Sequence, residues 1–185
     1  MLIYIHGFAS SANSNKVRLL KKRFPNMIAF DLNVSPKEAI SQLDFFISKH
    51  LDKENITLIG SSLGGFYAMY FSQKYALKVI LINPSIYPEK TLVCYKDKQV
   101  TNYSKENETF IFKAEYIEEL KIFKTVNVDH SKVLLLLQKG DQTIDYKEAL
   151  GFLPNAMSVV ESAGTHQFEN IEHYFDKIDF FQNKK

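Results

Sequence analysis

Short aliphatic runs recur along this chain, separated by longer amphipathic stretches, and that alternation constrains the fold more than any other feature. Residues 2–5, 27–30, 56–59, 79–82, 133–137 and 158–160 are the candidate strands. Between them, 16–23, a segment opening at Ser35, 63–74 and 169–181 read as helices. Strands alternating with helices predict a mostly parallel sheet of about six strands flanked by helices, an α/β architecture. The second helix has the clearest start: Ser35, Pro36 and Glu38 supply an N-cap, a proline at the first helical position and a capping-box acid. Its Ile40, Leu43 and Ile47 fall on one stripe, as do Ile171, Tyr174, Phe175 and Ile178 of the last helix.

At roughly 150 residues per domain, a length of 185 predicts a single domain spanning 1–185. The 23 basic residues nearly balance the 21 acidic ones. Without a long block of one sign, the chain lacks the electrostatic footprint of a nucleic-acid or polybasic membrane binder, so a small-molecule partner is expected. No apolar run approaches the roughly 18 residues of a membrane span. The first residues lack the basic start and length of a signal peptide. With Cys94 as the single cysteine, no internal disulfide is available, and a cytoplasmic location is expected. Oligomeric state is not legible.

Residues 84–124 break the alternation. The stretch is long, mixed in charge, and carries Tyr87, Tyr95, Tyr103, Phe110, Phe112 and Tyr116. It follows a strand's C-terminal end, where ligands bind in open α/β sheets. It therefore reads as an ordered cap, some of whose aromatics face the pocket, with a helical crossover bearing surface loops as the alternative.

The candidate strand 56–59 runs into Gly60-Ser61-Ser62-Leu63-Gly64-Gly65 and then into a helix. This is a G-x-S-x-G elbow in its required strand, turn and helix context. Gly60, Gly64 and Gly65 lack the Cβ atoms that would crowd a sharp turn, leaving Ser62 lifted clear of the sheet as the candidate nucleophile. A serine hydroxyl needs a general base and an acid to orient it. Of the five histidines, His50, His130 and His173 lie on or beside regular elements, whereas His166 stands in a glycine-containing loop after the last strand. The acid is expected after the penultimate strand. There Asp141 follows Gly140 directly, while Asp145 precedes Tyr146-Lys147-Glu148 and reads as an N-cap. Asp141 is assigned to the triad, and Asp31, after the second strand, is a more distant alternative.

An oxyanion hole needs two backbone N–H groups. Leu63 supplies one, and Phe8, in the His6-Gly7-Phe8 loop after the first strand, is the best second donor. His6 is expected to orient that loop rather than act as base. No zinc, Walker, C-x-x-C or dinucleotide motif occurs, so neither metal nor cofactor is implied.

Together, Tyr4-Ile5-His6-Gly7-Phe8, Lys16, Gly60 to Ala68, Asn83-Pro84, Gln138, Gly140-Asp141, Asp145-Tyr146 and Gly164, His166 and Phe168 resemble the α/β-hydrolases. Within them the match is to the small YqiA-like esterases of bacteria, the UPF0227 type. The resemblance covers nearly the whole chain and implies an α/β-hydrolase fold and hydrolysis of carboxylic esters, with short acyl chains preferred. It implies Ser62, Asp141 and His166 as the residues that carry the reaction. Where that family tends to carry an arginine after the Asn-Pro pair, this chain has Tyr87, and its Asn102-Tyr103-Ser104-Lys105 departs from an Asn-Pro-Tyr-Thr-Gly pattern. A thioesterase, acyltransferase or peptidase would use the same triad, and a non-catalytic binding module would keep the same fold.

Overall fold

The computed structural model describes residues 1–105 and 108–184. Six strands form one sheet in the order β2-β1-β3-β4-β7-β8, with every neighbouring pair parallel. They are β1 (Leu2–Ile5), β2 (Ile28–Ala29), β3 (Thr57–Ser61), β4 (Lys78–Ile82), β7 (Val133–Gln138) and β8 (Met157–Glu161). The expected strand at 27–30 pairs only at Ile28 and Ala29, as the edge strand beside β1.

Period-two alternation sorts the strand side chains onto the two faces. Ile3, Ile5, Leu58, Val79, Leu81, Val133, Leu135 and Leu137 face one core. It is completed by Ala39, Ile40, Leu43 and Ile47 of α2 (Pro36–Ser48) and by the inner face of α3 (Leu63–Tyr75). Leu2, Tyr4, Ile59, Ile80, Ile82, Leu134 and Leu136 face the other, under α1 (Asn15–Arg23) and α7 (Phe175–Asn183). All six residues of β7 are buried. Each fully buried Leu or Ile contributes about 1.5 to 3 kcal/mol, so the central strands anchor both layers.

Local signals set the helix ends. The Ser35 hydroxyl accepts from the Glu38 N–H at 3.3 Å, and Pro36 opens α2. The Asp145 carboxylate accepts from the Lys147 N–H at 3.0 Å and caps α6 (Tyr146–Phe152). The last helix departs from expectation. Phe168 and Asn170 both take positive φ of 56°, so the chain enters through a 3-10 turn at Ile171–Tyr174 and becomes α-helical only at Phe175. Ile171 and Ile178 remain buried, whereas Tyr174 and Phe175 are half-buried.

The segment 84–124 contains two different structures. Its first part holds the one-turn α4 (Pro88–Thr91) and an antiparallel hairpin of β5 (Lys98–Thr101) and β6 (Thr109–Phe112). Its second part is α5 (Ala114–Ile122), whose Glu119 carboxylate accepts from the Ser35 hydroxyl at 2.8 Å and the Lys37 N–H at 3.0 Å. The segment thus carries a hairpin and then a helix in succession. Among the described residues no helix is long and apolar enough to cross a membrane.

The chain leaves β1 toward β2 on one side and returns to β3 on the other, so the loops following β1 and β3 diverge. Such a switch point opens a crevice at the strands' C-terminal ends. Closing the crevice floor requires backbone to pass very near backbone: a Cβ on Gly64 would overlap the Ile5 carbonyl, and one on Gly65 would lie 2.6 Å from the Pro84 Cβ. Gly64→Ala should therefore lower the unfolding free energy by about 2 to 3 kcal/mol through overpacking. Gly151→Ala, in α6 with open space around it, should raise it by about 0.5 kcal/mol through helix propensity. Urea unfolding of the two variants beside the parent checks both signs, and equal midpoints would refute the packing account.

Candidate active site

Ser62 lies between β3 and α3 with φ 54° and ψ −122°, a conformation that costs about 1 to 3 kcal/mol for a residue bearing a Cβ. Three hydrogen bonds hold it there. Its N–H donates to the Ile82 carbonyl at 3.1 Å, and its own carbonyl accepts from the Gly65 N–H at 2.9 Å and the Ser85 N–H at 3.0 Å. The turn points the hydroxyl into the crevice.

The three residues singled out for the chemistry meet there although 104 positions separate Ser62 from His166. The Ser62 Oγ is 3.0 Å from His166 Nε2, and His166 Nδ1 is 2.7 Å from Asp141 Oδ2. A carboxylate can only accept, so Nδ1 carries the proton and Nε2 is left as the acceptor for the serine hydroxyl. The other carboxylate oxygen of Asp141 accepts from the N–H groups of Thr143 at 2.8 Å and Ile144 at 2.9 Å. Burial pushes the Asp141 carboxyl up, but the hydrogen bond and charge of His166 and these two N–H groups outweigh it, holding the group below its ordinary range. With its side chain only 2% exposed, Asp141 is shielded from water, whereas that of His166 is 24% exposed and reaches the crevice.

The alternatives are engaged elsewhere. Asp145 caps α6, and Asp31 binds Lys105 at 2.7 Å and the Ala12 N–H at 2.7 Å. His6 Nε2 accepts from the Leu32 N–H at 3.0 Å and its Nδ1–H donates to the Gly7 carbonyl at 2.8 Å, so both nitrogens are used to shape the loop after β1. Burial pushes its pKa down and keeps it neutral. Gly7 lies against Ser62: a Cβ there would stand 3.1 Å from the serine Cβ. Among the described residues, neither the Phe8 N–H nor the Leu63 N–H has a hydrogen-bond partner, and both residues line the same crevice as Ser62. Leu63 opens α3, where the first N–H groups are unpaired and the helix dipole is positive.

Two positioning residues carried no assigned role on sequence grounds. Asn83, 3% exposed, donates from Nδ2 to the carbonyls of Thr165 at 3.0 Å and His166 at 3.3 Å, and accepts from the Gln138 N–H at 3.0 Å. Gln138, 1% exposed, accepts from the Thr165 N–H at 3.1 Å and the Glu169 N–H at 2.9 Å, and its Nε2 donates to the Glu161 carboxylate and the Glu169 carbonyl. The pair fixes the His166 loop from beneath. Each is a lone polar residue at the end of an aliphatic strand, which is the signal that marks them.

The crevice widens into a cavity of about 810 Å³ lined by Phe8, Ser62, Leu63, Tyr95, Tyr103 and His166, among others. Of the six aromatics, some of which were expected to face it, Tyr95 and Tyr103 do. Phe110 and Phe112 instead pack their ring edges against Phe8 at centroid distances of 5.8 and 5.1 Å, and Tyr116 packs against Phe112 at 5.5 Å. Tyr87 lies beneath the ammonium groups of Lys90 and Lys124 at 4.4 and 5.1 Å. The hairpin thus spends its aromatics on clamping the loop after β1, and the rest of the apolar lining comes from Leu92 and Ile144, which were not anticipated.

No group of three or more His, Cys, Asp or Glu side chains among the described residues is arranged to hold a metal ion. The chain has relatives and fold matches among known proteins. It is 25% identical over 190 residues to a UPF0227 protein of Vibrio campbellii, covering 99% of each chain. Its fold matches the esterase Est1E from Butyrivibrio proteoclasticus with a TM-score of 0.73 at 15% identity, over all of this chain and 88% of that one. It also matches alpha/beta hydrolase domain-containing protein 10 from mouse with a TM-score of 0.72 at 17% identity, over 99% and 89%. The sheet and elbow are accordingly those of the α/β-hydrolase fold. The model of the uncharacterised protein family UPF0227 matches residues 1–183, and the chain belongs to that family.

Proposed function

We propose that the protein is a serine esterase, cleaving small carboxylic esters or thioesters through an acyl-enzyme on Ser62. The observation that carries this reading is the continuous hydrogen-bonded line from Ser62 Oγ through His166 to Asp141, beside two N–H groups that are unpartnered among the described residues. Hydrolysis follows from the geometry. His166 Nε2 takes the hydroxyl proton as Ser62 Oγ bonds to the substrate carbonyl carbon, and the electron pair moves onto the carbonyl oxygen. The N–H groups of Phe8 and Leu63 stabilise that oxyanion, each donor contributing about 3 to 4 kcal/mol in comparable chemistry. Collapse expels the alcohol or thiol, which leaves with the proton from His166. Water then repeats the sequence on the acyl-serine and restores the free hydroxyl. Asp141 holds the productive tautomer throughout and stabilises the imidazolium. No step requires a metal or cofactor, and the esterase named among the fold matches adds an independent indication of the reaction class.

A fluorophosphonate should form its adduct on Ser62, located by peptide mass spectrometry. Labelling of Ser61 instead, whose hydroxyl already accepts from the Lys16 ammonium at 2.7 Å, would overturn the assignment, as would a folded protein that is never labelled.

Asp141→Asn should lower kcat for 4-nitrophenyl butyrate by about 10⁴ by stabilising the wrong imidazole tautomer. Asp145→Asn should leave kcat near the parent value and cost at most about 1 kcal/mol of stability, asparagine being a good N-cap itself. Steady-state kinetics on the two variants decide between the carboxylates, and a reversed pattern refutes the triad.

A further inference from the structure

One wall of the cavity differs in character from the rest. It is built by the first turn of α1 and the residues before it: Asn13, Ser14, Asn15, Lys16 and Arg18 all line the space beside Ser62. Two of these are cations, and none of the described residues lining the cavity is a carboxylate. Lys16 is inserted so that its Nζ donates to the Ser61 hydroxyl at 2.7 Å, one residue from the proposed nucleophile. Among the described residues no carboxylate forms an ion pair with Lys16 or Arg18, whereas Arg23, at the far end of the same helix, is paired with Asp179 at 3.1 Å.

A half-buried ammonium whose hydrogen-bond partner among the described residues is a neutral hydroxyl is poorly compensated for its lost hydration. Burial pushes Lys16 down to about 7, with the negative charge of Asp141 opposing the shift. The helix adds to the positive potential: it has no acidic residue in its first turn, and its leading N–H groups are unpaired and point toward its N-terminal end. The Ser14 hydroxyl at that end is buried beside Tyr4. The lining also includes the apolar side chains of Leu92, Tyr95 and Ile144. The cavity is therefore electrically lopsided about Ser62.

Building on the esterase reading, we propose that the preferred substrates are anionic esters, bearing a carboxylate or similar negative group that the Lys16 and Arg18 wall receives. Such a group would give Lys16 a counter-ion and accept from Arg18, while the neutral arm lies against apolar lining such as Leu92, Tyr95 and Ile144. Lys16 and Arg18 act in binding and selection, and the bond-making steps remain those of Ser62 and His166.

Two matched substrate pairs place the charge on either arm: mono(4-nitrophenyl) glutarate against 4-nitrophenyl pentanoate, and 4-carboxyphenyl butyrate against phenyl butyrate. In at least one pair the parent should favour the anion by about tenfold or more in kcat/KM, the range of a charge-assisted contact. Lys16→Met should bring that ratio to about one, and Arg18→Gln, a change on the exposed side of the turn, should lower it without loss of fold. Preference for the neutral member in both pairs overturns the proposal, as does a ratio unmoved by either variant. Calorimetry on the Ser62→Ala protein separates this from the esterase reading. There monomethyl glutarate should bind more tightly than dimethyl glutarate whether or not the parent hydrolyses esters, and equal affinity refutes the anion site even if Ser62 is acylated.

Discussion

The site depends on how closely three pieces of backbone approach one another beneath Ser62. The ends of β1, β3 and β4 converge there, and Gly60, Gly64 and Gly65 are the contact points: a Cβ on Gly60 would overlap the Gly64 carbonyl, and one on Gly64 the Ile5 carbonyl. Because β1 and β3 are tied in register from Leu2 opposite Thr57 to Ile5 opposite Gly60, the loop after β1 is delivered beside the elbow with no freedom to drift. The strain at Ser62 is maintained by this arrangement, since its N–H and carbonyl are both bonded to neighbours the sheet holds in place.

The parts legible in the sequence are those set by local chemistry. Five of the six strand positions follow from runs of Leu, Ile and Val, and the two caps at Ser35 and Asp145 follow from side-chain type and spacing. The elbow is legible because its glycines are demanded by geometry. The parts not legible are those decided by distant contacts. Nothing local in 84–124 says which residues pair as a hairpin, since Val100 meets Phe110 across a turn only once the segment has left the sheet. Which of the aromatics reach the cavity is decided in the same way. Phe112 and Tyr95 look alike as pocket-lining residues, yet one is 1% exposed against Phe8 and the other borders the cavity.

Asn83 and Gln138 show a different limit. A buried amide is favourable only when nearly all its donors and acceptors are met, and here each bridges strand ends to the loop carrying His166. Their partners are mostly backbone atoms 27 to 83 positions away, so no sequence spacing announces the role. What can be seen beforehand is only the anomaly: an amide closing a strand that is otherwise aliphatic. Such a residue is expected either to be misplaced or to support something that must be placed accurately, and the geometry decides for the second.

The hairpin is bonded directly to the loop that carries Phe8. Phe8 is held by Tyr95, Phe110 and Phe112, and the adjoining loop is tied to the hairpin's connecting residues, with the Tyr103 N–H on the Ala9 carbonyl at 2.7 Å and the Asn102 amide on the Ser10 carbonyl at 3.2 Å. Lys105 extends the tie to Asp31, which in turn accepts from the Ala12 N–H. A hairpin that merely covered the cavity would not need to bond the backbone flanking Phe8. One that does so fixes where the Phe8 N–H stands relative to Leu63, and the distance between those two donors is what an oxyanion would sense. The inserted segment thereby shapes the pocket with Tyr95 and Tyr103 and sets the geometry of the polar site through Phe8, two tasks that its sequence, read as one undivided stretch, does not separate.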